Sequence, residues 1–159
     1  MKFIKKQSLG VWASLVALIL AIAGLVAYNS NISSEGYFKG SSVASASNDA
    51  IIAIVLLVVV IVAAQLSLTG IVDKVVDVVA SVLRILAPAC LIGAAMLILG
   101  ARVEGIGYVL FSNEEVLAEI QTEANLASVN GAITCVVILA VAGVAAMIAA
   151  FFGLKKKAK

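Results

Sequence analysis

Residues 73–84 read DKVVDVVASVLR and place four charged side chains between two long apolar runs. Asp73, Asp77, Ser81 and Arg84 recur every three or four residues, so a helix here puts them on one face. Such a face can carry an ion pair, Arg84 with Asp77, or a docking surface for a partner. The plainer reading is the amphipathic inner end of a membrane span. There Arg84 reaches the lipid headgroups while Lys74 and Asp77 stay wet. A second concentration of charge, Glu114, Glu115, Glu119 and Glu123, could attract cations. It lacks the alternating oxygen ligands and the glycine turn of a calcium loop, and it reads as a solvated helix face.

Other chemistry is sparse. The chain has no His, which removes the commonest general base and metal ligand. Cys90 and Cys135 lie in apolar runs. Counted from the outer ends of their spans at about 1.5 Å per residue, their depths differ by about 10 Å. That exceeds disulfide reach, so both read as packed thiols. Neither a glycine-rich phosphate loop nor a nucleophile–base set is present in the sequence. No catalytic residue, cofactor or metal is expected, and the chain reads as non-enzymatic.

The elements that carry these residues follow from composition. The 159 residues are 64% hydrophobic and 13% charged, with a mean hydropathy of +1.19. Soluble domains carry about a quarter charged residues, so a bilayer is the expected solvent. About 20 apolar residues cross the hydrocarbon core as a helix. Four runs qualify: 9–28, 50–71, 79–101 and 131–153. Backbone groups cannot go unpaired in lipid, which favours helix even for the strand-like IIAIVLLVVVIVAA. The predicted fold is an all-α antiparallel four-helix membrane bundle, one domain over 1–159. The N-terminal MKFIKK with its apolar continuation looks like a secretory signal, and is read as a retained first span.

Charge sets the expected topology. Lys2, Lys5, Lys6, Lys74, Arg84, Lys155, Lys156, Lys157 and Lys159 fall on one side with Asp73 and Asp77, a net of +7. Lys39 and Arg102 fall on the other with Glu35, Asp49, Glu104, Glu114, Glu115, Glu119 and Glu123, a net of −5. Basic residues stay cytoplasmic. Both termini, the turn 72–84 and the tail 154–159 are therefore expected inside a plasma membrane. Trp12, Phe151 and Phe152 would lie at the inner interface and Tyr28 at the outer one.

Two outer loops, 29–49 and 102–130, would form a small cap. In the first, SSVASASND reads as flexible, Ser47, Asn48 or Asp49 can cap the second span, and Asn31 heads a glycosylation sequon. In the second, Gly107–Phe111 reads as a short strand, and Ser112 with Glu115 as a capping box opening a short helix. SEGYF (34–38) echoes EGIGYVLF (104–111), so Tyr37, Phe38, Tyr108 and Phe111 could meet in a β-hairpin. Gly70 is the expected C-cap of the second span, and Pro88 the expected kink in the third.

Small-residue ridges permit close helix approach. Ala142, Ala146 and Ala150 form one on the fourth span, and Ala145, Ala149 and Gly153 another. One could serve the bundle and one a neighbouring subunit. The layout resembles small tetraspan membrane proteins in outline, but lacks the first-loop Trp and paired Cys of claudins and the loop cysteines of connexin- or innexin-type channels. The Lys-ended, Ala/Val/Ile-rich spans are bacterial in style. The expected function is assembly, as a self-associating protein or an accessory subunit of a membrane complex. The alternative is one subunit of a homo-oligomeric pore or transport component. The expected partners are the bilayer and further copies or a second membrane protein, not nucleic acid. Candidate contacts are Asp73, Asp77, Arg84, Ala142, Ala146, Ala150, Tyr37, Phe38, Tyr108 and Phe111.

Overall fold

The computed structural model describes residues 8–66 and 70–153, with side chains except at 70–73. Five helices follow one another: α1 (Leu9–Ser33), α2 (Ala44–Ala63), α3 (Gly70–Phe111), α4 (Glu114–Ile120) and α5 (Glu123–Phe151). Four of them, α1, α2, α3 and α5, are long and apolar enough to cross a membrane. No strand forms among the described residues.

The four long helices close a ring in the order α1, α2, α3, α5, each packed on its two neighbours. Neighbours run antiparallel. Gly10, at the start of α1, abuts Phe152 and Gly153, while Gly24 meets Leu139 and Gly131 meets Asn31. Residues 8–10 and 151–153 therefore share one end, called here the terminal end. The α1–α2 loop and α4 form the opposite, cap end.

Small residues set the spacing. Ala17, Ala21, Ala53, Ala87, Ala94, Ala142 and Ala146 are all buried in the shared core, with Leu57, Leu91, Ile98 and Leu139 between them. A Cβ at Gly10 would lie 2.7 Å from the Gly153 carbonyl oxygen. Backbone cannot yield as a side chain does, so glycine allows this approach of α1 to the end of α5.

Helix ends depart from the expected spans for local reasons. α2 begins at Ala44, because Ala46 and Ala50 are both buried on one face. Ser47, Asn48 and Asp49 thus lie inside the helix, and Val43 stands at the N-cap without a side-chain bond. α2 ends at Ala63, and Gly70 opens α3 instead of closing α2. The segment 74–84 is continuous with α3, as its helical spacing implies, and Pro88 is held within that helix.

At the cap end the hairpin is replaced. Residues 107–111 continue α3, since Val109 is fully buried against Phe38, Val129 and Ala132. The helical period of Ile106, Val109 and Leu110 prevails over local strand preference. Residues 34–38 form bends and turns. Ser112 does not cap α4; its hydroxyl donates to the Tyr108 carbonyl at 2.6 Å. Asn113 is the cap, its Oδ1 accepting from the Val116 N–H at 3.0 Å. Thr122 then starts α5 by accepting from the Asn125 N–H. Tyr28 is buried at 1% exposure and accepts from the Val43 N–H, so it is a core ring and not an interfacial one.

Candidate functional site at the two ends of the long helix

At about 1.5 Å per residue, α3 is about 63 Å long, twice a hydrocarbon core of about 30 Å. It therefore carries side chains to both ends of the bundle, and the candidate contact residues divide between those ends.

At the terminal end the charged face splits. Asp77 is exposed, and Ser81 donates its hydroxyl to the Asp77 backbone carbonyl at 2.7 Å. The Asp73 side chain lies outside the described residues. Arg84 is half-buried and turned to α5, where its Nη2 donates to the carbonyls of Ala149 and Phe152. The last turn of a helix leaves carbonyls without intrahelical donors and carries partial negative charge. Arg84 therefore caps a neighbouring helix, and its described partners are these carbonyls and not the Asp77 carboxylate. Beside it a crevice of about 520 Å³ opens between α3 and α5.

Ala142 and Ala146 are buried at 0% and 2% exposure within the chain's own core. Their ridge is spent on packing inside the bundle. Ala150 is half-buried and lines the crevice beside Arg84. The fourth span does contact helices on both sides, and both belong to this chain: α1 and α3.

The cap end is built around Arg102, which is 1% exposed. Its Nη2 donates to the Ser41 carbonyl at 2.7 Å. Its guanidinium lies 4.3 Å from the centroid of the Phe38 ring and 5.7 Å from that of Tyr28. Nε and Nη1 find no acceptor among the described residues. Phe38 is itself buried, and its N–H donates to Ser128 Oγ at 3.1 Å. Asn31 is buried too and donates to the Ser128 carbonyl at 2.7 Å. A buried, engaged amide is a poor glycan acceptor, so the sequon is spent on the fold.

The expected meeting of the two loop segments takes place through rings. Tyr37 packs edge-on against Phe38 at 5.2 Å and tilted against Tyr108 at 6.1 Å. Tyr37 and Tyr108 keep 39% and 46% of their surface, and Phe111, ending α3, keeps 81%. Three of the four aromatic candidates thus form an exposed patch on the cap, and Phe38 is its floor. Glu114, Glu115, Glu119 and Glu123 are all exposed on α4 and the start of α5. Cys90 and Cys135 are free thiols.

Arg102 is the residue that sequence reasoning misplaced, by counting it as an outer-loop charge. The available signal was its setting, ILGARVEGIG, where helical spacing continues past it. Comparison with protein-family models, curated proteins and solved structures finds no match.

Proposed function

We propose that the chain is a multi-pass membrane protein, its termini cytoplasmic, that acts by association and not by catalysis. The observation that carries this reading is the Tyr37–Tyr108–Phe111 patch. It joins the α1–α2 loop to a stretch of α3 that outruns the bilayer core, and it leaves a phenylalanine 81% exposed at the tip. Exposed aromatic patches of this kind are what interface cores are made of. The membrane setting is supported by the outward faces, where Ile19, Val55, Met96, Val137 and Ile148 are all exposed. The occupant of the patch would be a further copy or a second membrane protein.

A pore through one chain is not favoured, because Ala17, Leu57, Leu91 and Leu139 fill the centre of the bundle. Of the polar residues available to a lumen, Gln65 and Thr134 are exposed, and Ser67 and Thr69 lie outside the described residues.

The test is the mass of the particle extracted in mild detergent, for wild type and for a Tyr108→Ser, Phe111→Ser double variant. Wild type is expected as a complex larger than one chain, and the variant as a single folded chain. A wild type that is already monomeric and alone, or an unchanged variant complex, would overturn the reading.

A further inference from the structure

We propose that the crevice between α3 and α5 at the terminal end is a binding site for one anionic phospholipid, its phosphate on Arg84 and an acyl chain along the groove. The crevice is amphiphilic in one direction. Arg84 stands at its mouth, and Ile85, Pro88, Ile92, Met147 and Phe151 line the rest. From Arg84 to Ile92 the groove descends about 12 Å at the helical rise, all of it apolar. Its volume of about 520 Å³ is kept open by two small side chains, Ala89 and Ala150.

Three observations select an anion. Arg84 keeps a full positive charge that no carboxylate offsets among the described residues; its partners are two backbone carbonyls. Among the described residues only Nη2 is engaged, and Nε is buried without an acceptor. That leaves Nη1 as the donor open to a phosphate, in a charge-assisted hydrogen bond. Arg84 also lies level with the last residues of α5 and the first of α1, beside the exposed Phe151. That is the edge of the apolar band, where headgroup phosphates sit. Lys155, Lys156 and Lys157 follow in the sequence and raise the local attraction for anionic lipid.

The groove is wholly intrachain, so the site does not depend on the aromatic patch or on oligomeric state. The test is native mass spectrometry and thermal unfolding of the full chain in mild detergent. Phosphatidylglycerol and phosphatidylcholine of matched chains are titrated separately. One phosphatidylglycerol per chain is expected to survive transfer and to raise Tm by several degrees, as ligand binding to the folded state must. Arg84→Gln should weaken this at least tenfold. Ala89→Phe fills the groove and leaves the Arg84 bonds to α5 in place, and should abolish the adduct even if Arg84→Gln folds poorly. Equal binding of phosphatidylcholine, equal stabilisation by inorganic phosphate, or an undiminished adduct in Ala89→Phe would overturn the proposal.

Discussion

Two arginines stand on α3 about 27 Å apart along the axis, and the bundle treats them in opposite ways. Arg102 is enclosed, with one carbonyl acceptor and two aromatic faces. Arg84 is half open, with two carbonyl acceptors at a helix end and a groove beside it. The difference lies in what surrounds each head group. Around Arg102 the α1–α2 loop folds over the helix and removes water, so the cation holds that loop through Ser41 and Phe38. Around Arg84 no described loop closes, and the guanidinium stays partly open although its Nε is buried. A desolvated guanidinium is committed to structure, whereas a partly open one can also bind.

The largest effect should follow from Arg102→Ala. It removes a charge-assisted hydrogen bond worth about 1.5–3 kcal/mol and cation–π contacts worth up to about 2 kcal/mol when desolvated. A loss of about 3 kcal/mol or more is expected in equilibrium unfolding in detergent. Arg102→Met is the sharper variant. It keeps the volume and removes the buried charge, and replacing a buried ion with an apolar group is often close to neutral. A loss in Arg102→Met as large as in Arg102→Ala would mean that the hydrogen bond to Ser41, and not volume, holds the cap.

Gly36→Ala should come next, at about 2–3 kcal/mol. Gly36 has φ +129°, and a Cβ there would lie 2.4 Å from the Ala124 carbonyl oxygen. The residue carries both backbone strain and a clash with backbone, in the loop that Arg102 holds. If unfolding of Gly36→Ala matches wild type, the loop is not seated on α5 and the enclosure of Arg102 is incomplete.

Arg84→Gln should be the mildest, at about 1 kcal/mol, because its bonds cap one helix end near solvent. The expected signature is local: faster amide exchange in the last turn of α5, with the cap end unchanged. Arg84→Lys keeps the charge and loses the planar guanidinium whose Nη2 reaches both carbonyls, so it should recover only part of the protection. Faster exchange spread over the whole bundle would erase the distinction between the two arginines.

Much of this was legible in the chain. The apolar runs announced four helices, and the unpaired-backbone cost explains why IIAIVLLVVVIVAA is α2 and not a strand. The continuity of 74–84 with α3 followed from its spacing. The errors fell where local preference met a tertiary partner. GYVLF is β-prone by composition, yet Val109 is buried at helical register. Ser112 and Glu115 have capping-box spacing, but Ser112 bonds back to Tyr108 and Asn113 takes the cap. Ala142 and Ala146 belong to one of two ridges on the fourth span that could serve the bundle or a neighbour, and both are buried inside the chain.

The sequence by itself determined the number of long helices, the antiparallel alternation of successive spans, and the charge contrast between the two ends. Period and hydropathy are local quantities, and they need no partner to be read. Only the tertiary structure decided that α5 lies between α1 and α3, that Arg102 is buried under Phe38, and that Arg84 turns to α5. Each of those depends on which side chain from a distant segment arrives to exclude water or offer a carbonyl. The same residue type, arginine, became a loop clamp at one end and a helix cap beside an open groove at the other.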